Sequence, residues 1–437
     1  MTFRAAQKQQ AIIQKVPQSV RGLEERYFVP DVVAIGPYHR GAAHLAEMEP
    51  IKAAVAHDLC RSALESAGKS MPAAGESPSP AITRFLLDAV RPLVPETRLC
   101  YAGGLLELVA DDSELAIMMA VDGCFLLAVM AILTRAYPDD LQHWSWTRGR
   151  MLRIMRDILL FENQVPWPVL RRLMDAAGIR VDMDTFVAKL LAYLDVHSRE
   201  PRLGGGVPWQ DLRPAHLLDL VHQRHLCGPG PGADRDGGGV RYCDYARPFA
   251  RFTSAVELAE AGIRVQGSGT SRAGDVRVEP AAPGLGWLGL RIGRLALPQL
   301  TLSWLPRCWL VNMVALECVT DRADGRSGVS SYLAILASLI RAERDVEELR
   351  SRRILFSTMS DRRTVDFFEG LLDPLPRQEL YLRTLEGIAE LRRRRSTRSW
   401  LHGIYYRNMG IILAAVPVLI LLSSVVGVVL NNSLQHH

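Results

Sequence analysis

Residues 115–133 have the sequence LAIMMAVDGCFLLAVMAIL, in which Asp122 is the one charged residue. A run of this length could cross a membrane, which takes about 20 apolar residues. A carboxylate at the centre of a membrane helix, however, costs about 2.5–3.5 kcal/mol. We therefore predict that this segment forms the central buried helix of the folded domain. A buried Asp122 needs a partner, and we expect Arg153 or Arg156 on the next predicted helix.

A second apolar segment, residues 409–430, is MGIILAAVPVLILLSSVVGVVL and has no formal charge. At about 1.5 Å per residue, a helix of this length reaches across a hydrocarbon core of about 30 Å. It is preceded by the aromatic and basic residues typical of a membrane interface, namely Arg392, Arg393, Arg394, Arg395, Arg398, Trp400, Tyr405, Tyr406 and Arg407. We predict a single C-terminal transmembrane helix in contact with membrane lipid. The alternative is a buried C-terminal helix.

The predicted localisation follows from the same segment. Positive residues remain on the cytosolic side of a membrane, so the body of a single-pass protein would be cytosolic. The first residues of the chain have no apolar core of the kind found in a signal peptide. The seven cysteines form no C-x-x-C pair, which suits free thiols in a reducing compartment.

The rest of the chain predicts one predominantly α-helical domain with a small antiparallel β-sheet insert. We place a polar segment at 1–20, a soluble, mainly helical domain at 21–400 and a short tail at 431–437. Loops are expected near 70–80, 200–209, 228–240 and 267–284. Alternating runs between residues 262 and 297 predict three or four strands. Apolar spacing of three or four residues predicts the helices, at 45–67, 82–94, 112–135, 150–164, 167–176, 183–196, 214–224, 254–260, 305–318, 329–341, 345–352, 364–372 and 379–395.

The charge balance does not indicate nucleic-acid binding, although the net charge is +5. Arginines are spread evenly along the chain, and outside 392–407 no basic stripe is interleaved with aromatic residues. Residues 284–289 match G-x-G-x-x-G, but no helix is predicted after them to bind a pyrophosphate. We therefore interpret those glycines as a loop and expect neither a nucleic-acid partner nor a dinucleotide cofactor.

Two further groups of residues are candidate sites. The possible zinc ligands are His216, His222, His225, Cys227 and Cys243. Their spacing fits no common zinc module, so we predict no metal and interpret the histidines as a helix end. The sequence Glu162-Asn163-Gln164 stands just before Pro166, where polar side chains usually cap or bridge elements. Asp157 precedes it on the same predicted helix. No nucleophile elbow, P-loop or H-E-x-x-H motif occurs.

Several segments together resemble one plant family, the "domain of unknown function 247" family, over residues 25–430. The segments are YFVPDVVAIGPYHRG (27–41), MEPIK (48–52), MMAVDGCFLL (118–127), DILLFENQVP (157–166), HLLDL (216–220), SAVELAEAG (254–262), Leu297-Pro298, Asn312 with Glu317, and DVEEL (345–349). The residues singled out within them are Gly36, Pro37, Tyr38, His39, Asp122, Gly123, Glu162, Asn163, Gln164 and Pro166. Tyr38 and His39 are either an exposed functional motif or part of a structural turn.

The resemblance implies a plant protein with a membrane-anchored helical fold and no assigned catalytic residue. Similar members have been linked to pollen-side self-incompatibility in grasses. We therefore predict a membrane-anchored protein-interaction or signalling module with an unidentified protein partner, related to self/non-self recognition. The alternative is an enzyme at a membrane face that uses Asp122, Glu162 and His216. That alternative requires at least two of these residues in one pocket with perturbed pKa values.

Overall fold

In the computed structural model of this chain, helices contain most of the residues that are described. The structure describes residues 13–22, 24–66, 85, 87–102, 109–134, 148–192, 212–226, 254–270, 272–280, 292–320, 328–371, 375, 379–394, 417 and 423–424. The α-helices within these ranges are α1 (Gln18–Arg21), α2 (Glu49–Ser66), α3 (Val94–Cys100), α4 (Asp112–Thr134), α5 (Met151–Asp157), α6 (Trp167–Ala177), α7 (Met183–Leu191), α8 (Leu217–Leu226), α9 (Ala255–Glu260), α10 (Trp304–Val319), α11 (Gly328–Leu339), α12 (Glu343–Ser351), α13 (Asp361–Leu371) and α14 (Glu379–Arg394). Short 3-10 helices lie at Glu25–Tyr27, Ala43–Met48, Arg91–Leu93 and Arg148–Arg150.

Helix α4 is the central buried helix that the sequence predicts. The carboxylate of Asp111 caps its first turn by accepting hydrogen bonds from the N–H groups of Ser113 and Glu114, both at 3.2 Å. Helices α2, α6 and α7 pack around it. Gly123 allows α6 to come close, because a Cβ at this position would lie 2.4 Å from Cδ1 of Leu173.

Among the described residues, α4 is also the one helix long and apolar enough to cross a membrane, and 83% of its most apolar window is buried inside the protein. The predictions of a C-terminal transmembrane helix and of a single-pass membrane localisation are therefore wrong. The physical reason is that a helix covered by other helices has the same length and composition as one covered by lipid. Of the segment 409–430, the structure describes Pro417, Ser423 and Ser424. The rest of it and the tail at 431–437 lie outside the described residues.

Two small sheets lie between and after the helices. The first contains β1 (Ile263–Gly267), β2 (Arg277–Pro280) and β3 (Gly293–Leu297) in the order β1-β3-β2. Strand β3 is parallel to β1 and antiparallel to β2, so the predicted all-antiparallel sheet is wrong in its strand directions. The second pairs β4 (Leu300–Leu302) with β5 (Leu355–Ser357) in parallel. Alternating burial reveals a strand, but it does not encode the direction of the neighbouring strand.

Helix α5 ends earlier than the sequence predicts, at Asp157 rather than Gln164. After Asp157 the backbone tightens, with Leu159 N–H bonded to Arg156 C=O and Leu160 N–H bonded to Asp157 C=O at 3.2 Å each. The chain then leaves the helix, so the following residues 162–164 lie in a turn. This early end releases their side chains to bind other parts of the chain.

The buried apolar side chains form one continuous cluster that extends from the N-terminal residues to α14. Ile13, Val16 and Val20 belong to it although they fall within the segment 1–20 that we predicted to be polar. The backbone of Ile13 bonds to Cys100 C=O at 2.8 Å and to Ala102 N–H at 2.9 Å. The described part of the N-terminus is thus packed into the core. The predicted loops at 70–80, 200–209 and 228–240 lie outside the described residues.

The burial of α4 predicts a large difference between two substitutions on that helix. Phe125 is fully buried, whereas Ile117 is 43% exposed. Phe125→Ala should lower the free energy of unfolding by about 3–5 kcal/mol because it leaves a cavity. Ile117→Ala, the matched control, should lower it by about 1 kcal/mol or less. Urea denaturation of the full chain measures both, and equal effects at the two positions would contradict the buried arrangement.

Candidate functional site

Residues 27–36, YFVPDVVAIG, run through the interior, and after Tyr27 they belong to no described helix or strand. We call this stretch the 27–36 segment. Buried backbone N–H and C=O groups need partners, and a group left without one costs about 1–3 kcal/mol. In this segment the partners are mostly side chains from residues far away in the sequence. Those side chains include most of the residues that the sequence singles out.

Asp157 binds the middle of the 27–36 segment. Its buried carboxylate accepts hydrogen bonds from the N–H groups of Asp31 at 3.1 Å, Val32 at 2.7 Å and Val33 at 3.1 Å. Burial raises the pKa of Asp157 to about 6, while these three donors and Arg156 favour the ionised form. The Nη1 atom of Arg156 lies 2.7 Å from Asp157 Oδ1. Arg156 also donates to the backbone at the start of the segment.

Two asparagines complete this set of contacts. Asn163 Oδ1 accepts the N–H of Ile35 at 2.7 Å, and its Nδ2 donates to Val33 C=O at 3.0 Å. Asn312, on α10, donates from Nδ2 to Tyr27 C=O at 2.8 Å. Both side chains are fully buried. An amide side chain suits this position because it can donate and accept at the same time.

Asp122 and Lys52 form a buried ion pair at the other end of the segment. Lys52 Nζ lies 2.6 Å from Asp122 Oδ1 and donates to Ala34 C=O at 2.8 Å. Asp122 Oδ2 accepts the N–H of Gly36 at 2.8 Å. Desolvation disfavours the charged ammonium, but the carboxylates of Asp122 and Glu49 outweigh it and raise the pKa of Lys52.

The predicted partners of Asp122, Arg153 and Arg156, are therefore wrong. Arg156 binds Asp157, and Arg153 is exposed. The true partner comes from α2, which packs directly on α4. A signal for it was present in the sequence. Lys52 occupies the apolar stripe of its helix, between Met48 and Val55, at the spacing of three and four residues that marks a buried face.

Gly36 and Gln164 make the tightest backbone contact of this site. Gly36 has a φ of +74°, and a Cβ on it would lie 2.6 Å from the carbonyl oxygen of Gln164. The same oxygen accepts the hydroxyl of Tyr101 at 2.9 Å. Only glycine satisfies both the left-handed backbone and the close approach. The Gln164 side chain is also engaged, because its Oε1 accepts the N–H of Leu218 at the start of α8, at 3.1 Å.

Glu162 connects the N-terminal residues to the turn that follows the 27–36 segment. Its Oε1 accepts the N–H of Val16 at 2.7 Å and pairs with the guanidinium of Arg21. The Nε2 atom of His39 lies 3.6 Å from its Oε2. Burial lowers the pKa of His39, and the nearby Glu162 carboxylate opposes that shift.

Pro37, Tyr38 and His39 form a turn rather than an exposed motif. Pro37 is buried and the other two are half-buried. The Tyr38 hydroxyl donates to Ile13 C=O at 3.1 Å or to Ala102 C=O at 2.9 Å. Burial raises the pKa of Tyr38 to about 12, so this hydroxyl stays protonated. The structural interpretation of these residues accounts for their contacts.

The predicted histidine set does not assemble as a metal site in the described residues. No group of three or more His, Cys, Asp or Glu with metal-binding geometry occurs there. His216 Nδ1 accepts the N–H of Asp219 at 3.3 Å, and the His216 backbone forms a bridge with Pro166. Burial lowers the pKa of His225 to about 4. Cys227, Cys243 and the glycines of 284–289 lie outside the described residues.

His222 instead pairs with a carboxylate that the sequence did not single out as a site. Its Nε2 lies 2.6 Å from Glu317 Oε1, and both side chains are buried. Glu317 also accepts the N–H groups of Val329 at 3.1 Å and Ser330 at 2.7 Å. It therefore caps the start of α11, where a negative charge is favoured. A His–carboxylate pair can move a proton, but here it is closed off from solvent.

The structure describes three of the six arginines before the predicted membrane span. Arg392, Arg393 and Arg394 end α14, and Arg393 pairs with Glu390 at 2.7 Å. The remaining residues of that set are not described, namely Arg395, Arg398, Trp400, Tyr405, Tyr406 and Arg407.

Two exposed apolar side chains belong to α5 and α10, the helices that meet at Arg156. Trp304, at the start of α10, is 41% exposed, and Leu152, on α5, is 52% exposed. The guanidinium carbon of Arg156 lies 5.7 Å from the centre of the Trp304 ring. Leu152 precedes Arg156 by one helical turn, and helical side chains lean toward the preceding turn. We call Trp304, Leu152 and the Arg156 side chain together the Trp304 face.

The buried ion pair predicts an unusual mutant series. Lys52→Met leaves the Asp122 carboxylate buried without its ammonium and should cost about 3–5 kcal/mol of stability. Lys52→Met combined with Asp122→Asn should be more stable than Lys52→Met alone, because an amide oxygen still accepts the Gly36 N–H. Arg362→Met, which breaks an exposed pair with Asp366, should cost about 1 kcal/mol or less. Chemical denaturation measures the free energy of unfolding of each variant. A double variant that is less stable than Lys52→Met would refute the predicted order.

The left-handed glycines predict a second matched comparison. Gly36→Ala should lower the stability by about 2–4 kcal/mol, from the left-handed backbone and the clash with Gln164. Gly41 has a similar φ of +80°, but nothing lies within 4 Å of a Cβ placed there. Gly41→Ala should therefore cost only the backbone term, about 1–2 kcal/mol. Thermal denaturation measures both, and equal losses would show that the Gln164 contact has no role.

Comparisons with known proteins agree with the resemblance seen in the sequence. A family model described as a plant protein of unknown function matches residues 13–423. The Arabidopsis thaliana protein named UPF0481 protein At3g47200 is 24% identical over 391 residues, which cover 85% of this chain and 74% of that protein. No solved structure matches the chain. The predicted family is thereby confirmed: the chain belongs to the DUF247 family of plant proteins of unknown function.

Proposed function

We propose that this protein works by binding another protein, and that the Trp304 face is part of its binding surface. The observation that carries the proposal is the exposure of Trp304 and Leu152 on α10 and α5, two helices that pack against each other. Tryptophan and arginine are the residues most enriched at the energetic centres of protein interfaces. Here an exposed tryptophan rests on an arginine that the fold already holds in place, so little side-chain freedom remains to be lost on binding.

The rigidity of Arg156 supports this proposal. Its guanidinium is buried, pairs with Asp157 and lies 3.3 Å from Asp31. It therefore gives the Trp304 ring a fixed support, and stacking of a cation on an aromatic face is itself favourable. A pre-organised aromatic side chain is the kind of anchor that a partner's pocket can receive without rearrangement.

The alternative of an enzyme receives less support from the geometry. Its three acid–base candidates have different partners: Asp122 binds Lys52, Glu162 binds Arg21, and His216 binds the backbone of Asp219. The first two contacts join different elements of the fold, and the third is local to the start of α8. A catalytic pair would instead be expected to share a pocket with room for a substrate.

The family resemblance supports a binding role as well. Members similar to this chain have been linked to self/non-self recognition, which depends on discrimination between protein surfaces. Such discrimination is a difference of affinities, and it needs no catalytic group. We include a recognition role of this kind in the proposal.

The proposal predicts that two surface substitutions together abolish the labelling of at least one partner protein. In proximity labelling in plant cells, wild-type protein should label a reproducible partner set. Trp304→Ala with Leu152→Ala should lose at least one member of that set. The purified partner should then bind the double variant at least about 30-fold more weakly, the effect of losing roughly 2 kcal/mol at an interface centre.

The matched control replaces two exposed apolar side chains on other helices. Leu99 is 61% exposed and Ile117 is 43% exposed, on α3 and α4. Leu99→Ala with Ile117→Ala should keep the full partner set. If all three proteins label the same set, the Trp304 face is not the binding surface. If wild-type protein labels nothing above a free-label control, the binding role itself fails.

A further inference from the structure

We propose that the Trp304 face binds an acidic peptide segment of its partner, in which an apolar side chain is flanked by Asp or Glu. This inference rests on the proposed binding function and adds the chemistry of the partner. It comes from the charges that surround Trp304 and Leu152 and from the groups with which those charges are already paired.

Arg307 is the first such charge, one helical turn after Trp304 on α10. Its guanidinium contacts the Tyr27 hydroxyl at 3.5 Å and the Met359 sulfur at 3.0 Å, and its Nε donates to Ser303 C=O at 3.3 Å. All of these groups are neutral. Within the described part of the chain, no carboxylate lies within ion-pair distance of Arg307. A half-buried guanidinium with only neutral partners can still gain a strong hydrogen bond from a carboxylate.

Arg153 is the second such charge. It follows Leu152 directly on α5 and is exposed. In the described ranges it too has no carboxylate partner. Arg307 therefore follows Trp304 on α10, and Arg153 follows Leu152 on α5. Neither arginine has a carboxylate partner among the described residues.

The acidic residues near the face offset only part of the charge of these two arginines. Asp31 lies 3.3 Å from Arg156, which also pairs with Asp157, and Glu24 pairs with Arg26. Helix α10 begins at this face, and its first turn contains no acidic residue. The positive end of its dipole therefore adds to the potential that Arg307 creates there. A partner that supplies carboxylates would complement these charges. A basic partner would be repelled by Arg307 and Arg153, which have no carboxylate partner in the described part of the chain.

The geometry also limits the size and class of the partner segment. Two apolar side chains and two flanking cations suit a short peptide with one apolar anchor and acidic neighbours. Nucleic acid, the other polyanion, would be expected to use a longer row of cations that follows a phosphate backbone. The described surface has only two arginines without a carboxylate partner here, which is too few for such a row. We therefore favour a peptide as the ligand.

The test is selection of a random-peptide display library on the full-length protein, with removal of peptides that also bind the Trp304→Ala, Leu152→Ala double variant. The retained peptides should be rich in Asp and Glu around an apolar residue. Their binding should weaken on the order of tenfold in Arg307→Glu, and it should weaken as salt increases. Arg171→Glu, an exposed arginine of α6, should leave it unchanged. Selection on Arg307→Glu should shift the retained peptides toward Lys and Arg.

The outcomes separate the two proposals. Retained peptides without an acidic excess would overturn the acidic-segment proposal but leave the Trp304 face as a binding surface. Equal binding to Arg307→Glu and wild type would overturn it in the same way. Failure to retain any face-dependent peptide would count against both proposals. If a random single-stranded oligonucleotide displaces the retained peptides, the acidic-segment proposal is overturned and nucleic acid becomes the inferred partner.

Discussion

The described fold depends on the desolvated backbone of the 27–36 segment. This stretch passes through the interior without a neighbouring strand, so its N–H and C=O groups must find partners among side chains. Asp157, Asn163, Asp122, Lys52 and Asn312 supply most of them. These residues come from α2, α4, the end of α5 with the turn that follows it, and α10. One short segment thereby holds four distant parts of the chain in register, and removal of any one side chain leaves a buried backbone group without a partner.

The sequence predicts the local elements well and the long-range partners poorly. Helices are visible because apolar residues recur every three or four positions, and most described helices match the predicted ranges. Strand direction is not visible, since alternation is the same in parallel and antiparallel pairs. The partner of Asp122 was missed because Lys52, a charged residue in an apolar stripe, was not recognised as buried. The C-terminal apolar segment was assigned to a membrane because composition alone does not identify what covers a helix.

At the candidate site, too, the sequence indicates which residues are unusual but not which groups they contact. The motifs with Gly36, Asp122, Glu162, Asn163 and Gln164 attract attention because polar residues and glycine interrupt apolar sequence. In the structure that pattern reflects backbone binding, since a buried polar side chain must be hydrogen-bonded. The Trp304 face has no comparable signature. A tryptophan at a helix start is equally compatible with burial and exposure, and only the packing of α5 against α10 decides which of the two occurs.

The contacts of the 27–36 segment also have a consequence for biosynthesis. The segment leaves the ribosome well before Asn312, which binds Tyr27 and is made 285 residues later. Until then its apolar side chains and unpaired backbone are exposed to other chains, and such nascent segments are prone to aggregate. Closing contacts over such sequence separations is also slow. The contacts of the 27–36 segment are therefore completed long after the segment itself is made, which makes this protein a strong candidate for chaperone assistance during translation.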